Sequence, residues 1–302
     1  MAIDLSKVKK TLNLSSLKLV MYGEEKVGKS TFCSQMPEPL FIDIEGGTNF
    51  LNINRINKDD LGVQEWTYDN VVAVLNDVLN QEHNFKTLVV DSIDWLETIA
   101  KTKIMTDHPG AKSYFDAKIK ALSYGGGTGF LEQYMKELFD LMDNIRQRKK
   151  MHIVLIAHTK KKNETDIQGS SFDKSVLKMT EKSEGICIEW ADFILFAKNK
   201  AYTSTEENGT KKVTRGIDGG RVIYTSKNPA FSGGGRLALP EELPLEWSEF
   251  QAALHHAIKS ISPAPVAVEV KEEFKPVHVP VEVTLNGADV RFSTTPNIIT
   301  IE

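Results

Sequence analysis

Two cysteines, Cys33 and Cys187, are all that the 302 residues contain, which excludes a disulfide framework or a four-thiolate zinc centre. A reducing setting, the cytoplasm, is therefore expected. Positive charge is not in excess either: 37 Lys and Arg stand against 41 Asp and Glu, a net charge of -4 with a pI near 6.0. No global field draws nucleic acid, so such a partner would depend on local patches or an assembled oligomer. The sequence also lacks any stretch of about 18 uninterrupted apolar residues, and its opening, MAIDLSKVKKTLNL, is charged and has no leader-like apolar run. A soluble, unexported protein without membrane association is the expectation. No nuclease, zinc-binding or helix-turn-helix signature stands out to suggest added chemistry.

What is present is apolar and periodic. With 41% hydrophobic residues the chain can bury one large core. Short apolar runs recur at 18–22, 40–44, 87–90, 152–157 and 193–197, without the polar alternation of a half-exposed strand. Such runs suit strands buried on both faces, as in a parallel sheet covered by helices. Segments 71–79, 92–105 and 130–149 between them carry helical periodicity, so the alternation predicts an open α/β sheet. Over 202–227 the pattern changes, and Asn208-Gly209 offers the positive φ values of a tight hairpin, predicting an antiparallel addition at the sheet edge. Trp247, Phe250, Leu254 and Ile258 then fall at helical spacing, predicting a closing helix. From 262 to 302 the chain is rich in Pro, Val and charge and reads as linker and tail, with an Asn-Gly turn at Asn286-Gly287. The expected division is a folded domain over 1–261 and a tail over 262–302.

The chemistry concentrates at Gly23-Glu24-Glu25-Lys26-Val27-Gly28-Lys29-Ser30, which matches G-x-x-x-x-G-K-[ST] between an apolar strand, LKLVMY, and a helix start, TFCSQM. The two glycines let the backbone fold tightly enough for successive N–H groups to face phosphate oxygens. Lys29 adds a cation at the β- and γ-phosphates, the Ser30 hydroxyl is suited to ligate Mg²⁺, and Thr31 lies nearer the α-phosphate. ATP with Mg²⁺ is the expected ligand, and no NKXD-like guanine-reading motif is present.

Three further groups belong with this loop. Asp91, ending the run TLVVD, is the expected second metal ligand, the alternative being a cap on the helix that follows. Glu45, in FIDIEGG, is the candidate base that orients the attacking water, with Asp43 as runner-up and a turn cap as the alternative for either. His158, ending HIVLIAH, is placed to touch the γ-phosphate, or else is a hydrogen-bonded histidine at a strand end.

Together, GEEKVGKST, FIDIEGG, LVVDSIDWL and IVLIAHTK resemble, in their order, the RecA-type core of recombinases and ring helicases. The closer resemblance is to short phage ATPases that include Sak-type single-strand annealing proteins, and it spans about residues 13–255. It implies a three-layer RecA-like P-loop fold, a homo-oligomeric ring or filament, and a phage protein acting in the host cytoplasm. It also implies a basic group reaching the neighbour's phosphates. Lys227, in YTSKNPAF, resembles the start of that segment, but Pro229 replaces the second lysine expected there; Arg221 and Arg236 are alternatives.

Loops 111–129 and 160–185 match the family's DNA-contacting loops. Their lysines could neutralise phosphates, and Tyr114, Phe115, Tyr124 and Phe172 could stack on bases. The functional expectation is a DNA-stimulated ATPase of recombination or repair that anneals or pairs single-stranded DNA. The alternative is a nucleotide-dependent switch or helicase-loader-type ATPase that recruits replication proteins. The ending NIITIE could suit an edge-strand or groove partner, a single-strand-binding protein in this reading.

Overall fold

The computed structural model describes residues 16–107, 127–166, 169–208 and 211–261. The chain divides into two units, Met1–Ser262 and Pro263–Glu302. The expected tail lies outside the described residues, as do Tyr114, Phe115 and Tyr124 of the first expected loop.

Five parallel strands form the centre, in the order β7 (Phe193–Asn208), β1 (Lys18–Gly23), β5 (His152–Thr165), β4 (Thr87–Asp91) and β2 (Pro39–Asp43). These are the five apolar runs. Their lack of polar alternation has a direct cause: Val20 and Tyr22 enter the core on one face of the sheet while Leu19 and Met21 enter the core on the other. Leu88 and Val90 oppose Val89 in the same way, as do Ile153 and Leu155 with Val154.

The first face is covered by α2 (Tyr68–Asn80), α3 (Ile93–Asp107), α4 (Gly127–Lys149) and α5 (Glu181–Trp190), through residues such as Val71, Leu96, Leu138 and Cys187. The second is covered by α1 (Lys29–Ser34) and α6 (Trp247–Ile261). Phe32, Trp247, Phe250 and Phe193 pack there with ring centroids 5.6–6.2 Å apart. The result is a three-layer α/β fold with a mostly parallel sheet. Helix α2 begins at a capping box in which Thr67 accepts from the Asn70 N–H and the Asn70 side chain accepts from the Thr67 N–H.

The edges carry the additions. Strand β3 (Asn54–Ile56) lies parallel to β2, and β8 (Lys211–Tyr224) runs antiparallel to β7 up to the pair Asn208 and Lys211. The hairpin expected there is present, though Gly209 lies outside the described residues. Strand β9 (Gly234–Gly235) pairs with β7, and β10 (Glu242–Pro244) with β8.

One expectation is corrected. The second loop, 160–185, is largely regular: β5 runs on through Thr165, β6 (Ser171–Leu177) returns antiparallel to it, and α5 starts at Glu181 behind the N-cap Thr180. Polar residues fill this hairpin because one of its faces is open: Lys161 and Asn163 are exposed while Lys162 and Glu164 are partly buried, and Ser171 and Asp173 are exposed while Phe172 and Lys174 are partly buried.

Candidate functional site

The phosphate loop begins at Gly23, the last residue of β1, which pairs with Ala197 of β7. A Cβ on Gly23 would lie 2.1 Å from the Ala197 carbonyl oxygen, so no other residue fits without moving a strand. Val27, fully buried, pins the middle of the loop into the second core. Gly28 then takes φ 113°, a left-handed value that favours glycine, and its carbonyl accepts from the Phe32 N–H at 2.9 Å as α1 begins. Glu24, Glu25, Lys26 and Thr31 face solvent.

Lys29 is buried, and its ammonium donates to the Gly23 and Glu24 carbonyls at 3.1 and 2.8 Å. The charge is thus held inside the curve of the loop. Burial pulls its pKa down, opposed by the carboxylates of Asp91, Glu45, Asp94 and Glu25. This cation, the glycine-shaped loop and the first turn of α1 fit a polyphosphate.

Asp91 ends β4, two strands from β1, yet the Ser30 hydroxyl donates to its Oδ2 at 2.6 Å. Burial raises the Asp91 carboxyl to about 6; the Ser30 bond opposes this, and the neighbouring Glu45 and Asp43 carboxylates add to it. A hydroxyl and a buried carboxylate meeting next to a phosphate loop are a hard-oxygen donor set that fits Mg²⁺.

Asp43 and Glu45 have different surroundings. Asp43, 2% exposed, accepts from the backbone N–H groups of Gly46, Gly47 and Thr48 and from the Thr48 hydroxyl. The runner-up base is therefore the group that holds the turn. The N–H groups of Ile44 and Glu45 donate to the Asp91 carbonyl at 2.8 and 3.2 Å, tying the two strand ends together. The Glu45 side chain remains 34% exposed, with Oε2 3.6 Å from His158 Nε2.

His158 lies in register with Gly23 at the end of the β1–β5 pairing. Its backbone N–H donates to Asp94 Oδ1 at 3.1 Å, and its Nδ1 lies 3.0 Å from Asp94 Oδ2. Asp94 was missed in the sequence. The usable signal was its position three residues after Asp91, which places it in the first turn of α3 at the same strand end. Burial raises its pKa, but the bonds from His158 outweigh this and hold it below the usual range.

The basic candidates separate. Lys227 is exposed and lines a cavity of about 760 Å³ with Lys174, Asp192, Phe231 and Arg236, which contains none of the phosphate-loop residues. Arg236 pairs with Asp192 at 2.9 Å. Arg221 instead lies against its own phosphate loop, its Nη1 3.0 Å from where a Cβ on Gly28 would be. The lysines of the β5–β6 hairpin are engaged within the chain. Lys160 donates to the Met179 carbonyl, Lys161 to the Ser175 hydroxyl, and Lys162 and Lys174 pair with Glu181 and Glu164. Phe172 is half-buried.

Among solved structures the chain is similar to the RadB recombinase, with 15% identity and a TM-score of 0.37 over 69% of this chain and 79% of that one. No curated protein matches it. The model of a protein family described as an AAA domain matches residues 15–237, and the chain belongs to that family.

Proposed function

We propose that the chain binds ATP with Mg²⁺ on residues Gly23 to Thr31, hydrolyses it to ADP and phosphate, and acts on single-stranded DNA in recombination or repair, annealing or pairing strands. The observation that carries the nucleotide part is the meeting of Ser30 and Asp91 at 2.6 Å beside the inward-facing Lys29 ammonium. Loop N–H groups and Lys29 hold the phosphates; Ser30 and Asp91 hold the metal. When bound, Mg²⁺ supplies charge neutralisation at the phosphate oxygens. Glu45, with its carboxylate partly open to solvent at the carboxyl edge of the sheet, orients the attacking water and takes its proton.

His158 senses the γ-phosphate. The first residues beyond it belong to the β5–β6 hairpin, and its carbonyl accepts from the Lys178 N–H at 2.9 Å, so a shift of His158 is felt at both ends of that hairpin. Lys227 acts on a neighbour's nucleotide in a homo-oligomeric ring or filament, a reading supported by its place in a cavity apart from its own phosphate loop.

ATP hydrolysis by the purified protein at low salt, with and without single-stranded or duplex DNA, tests this reading. Strong stimulation by single strands, absent in Lys29→Ala, is expected. Nucleotide binding with no response to DNA would refute the DNA part. The second reading is a nucleotide switch that recruits replication proteins. It is favoured by the internal engagement of the hairpin lysines, which leaves less positive charge for phosphates.

A further inference from the structure

Asp94 has no part in the chemistry above, yet it is among the best-connected groups at the sheet edge. Its side chain is 6% exposed, a depth at which a carboxylate persists only when hydrogen bonds offset its lost hydration. Both oxygens meet His158: Oδ1 accepts from its backbone N–H and Oδ2 faces its Nδ1 at 3.0 Å, with the Ser92 side chain as a further, weaker partner of the carboxylate. Main chain and ring are thereby held by one group. The first bond fixes where β5 leaves the phosphate loop, and the second fixes which way the imidazole faces. With Nδ1 directed at Asp94, Nε2 is left facing Glu45 Oε2 at 3.6 Å.

We propose that Asp94 is a positioning residue of the site: it holds the His158 ring with Nε2 toward Glu45, and through that contact limits where the Glu45 carboxylate can rest. The proposal rests on the reading of Glu45 as the base. The charged groups facing the ring are the Asp94 and Glu45 carboxylates and, opposing them, the Lys29 ammonium. Between two carboxylates the imidazolium is the form that donates at both nitrogens. A neutral ring protonated on Nδ1 would set the Nε2 lone pair against Glu45. The Asp94 bond accordingly raises the His158 pKa, with burial pulling the other way.

Asp94→Asn keeps the shape and one acceptor for the backbone N–H, but turns an NH₂ donor toward Nδ1. The ring must then give up its Nδ1 proton. In the full-length protein, ¹⁵N-histidine spectra at neutral pH report this directly, and with seven histidines in the chain the His158 signals are assigned by their loss in His158→Gln. The expected result is a shift of those signals to the neutral Nε2–H form; the ring then faces Glu45 without its positive charge and restrains that carboxylate less, so kcat for ATP hydrolysis should fall about tenfold or more with KM for ATP little changed. The double variant Asp94→Asn/His158→Gln should be no slower than His158→Gln alone, because Asp94 acts through the ring. Wild-type kcat with unchanged ring signals in Asp94→Asn would overturn the proposal, as would additive losses in the double variant. Glu45→Gln separates the two readings. If it retains turnover, the assignment of Glu45 falls and the proposal with it. If it is inactive while Asp94→Asn is wild-type in both measurements, the proposal falls alone.

Discussion

Asp91→Asn removes a buried charge while keeping the shape of the side chain and an acceptor for the Ser30 hydroxyl. In the nucleotide-free protein, burial raises the Asp91 carboxyl from an ordinary 3.8 to about 6. The folded chain therefore binds a proton that the unfolded chain releases. The stability this represents is present below the unfolded value and lost as pH rises through about 6. At about 1.4 kcal/mol per pH unit the rise corresponds to about 3 kcal/mol withheld from the folded state at neutral pH. Asparagine has no charge to desolvate, so Asp91→Asn should be the more stable protein there, by up to about 3 kcal/mol and several degrees in Tm. With Asp91 as the proposed metal ligand, it should also lose the stabilisation expected from Mg²⁺ and ATP together. Thermal unfolding between pH 4 and 8, with and without Mg²⁺ and ATP, measures both effects. If Asp91→Asn is less stable than wild type at neutral pH, or keeps the wild-type pH profile, the argument from burial is wrong.

Two other variants probe the frame and the assembly. Gly23→Ala drives a Cβ into the Ala197 carbonyl oxygen, so β1 and β7 must part; a loss of about 1–3 kcal/mol in denaturant unfolding is expected, together with weaker ATP binding. Glu45→Gln and Lys227→Ala should each be inactive alone but regain ATPase activity when mixed, because one mixed interface pairs an intact Glu45 with an intact Lys227. No recovery in a mixture shown to co-assemble would remove Lys227 from the neighbour's site.

The five central strands and the phosphate loop were legible because their causes are local. A strand covered on both faces must be apolar at successive positions, as Val20 and Met21 show on opposite sides of the sheet. A phosphate-wrapping turn needs glycine where Gly28 takes φ 113°. The β5–β6 hairpin was not legible. Its lysines and acids imitate a loop, and what makes it a hairpin is pairing between residues such as Lys162 and Lys174, whose open face demands no hydrophobic pattern.

The amino-acid sequence by itself determined which segments could be strands, where the phosphate loop lies, and that Asp91 ends a buried strand; each follows from burial or backbone geometry within a few neighbouring residues. Only the tertiary structure decided how the carboxylates divide their work. Asp43 became the holder of a turn because three N–H groups converge on it. Glu45 kept its carboxylate toward His158. Asp94 gained its partner from a strand 64 residues away, brought alongside because β4 and β5 pair in parallel with Asp91 in register with Ile156, two residues before His158. Contacts of that separation leave no periodicity in the chain, since what selects them is the register of the sheet.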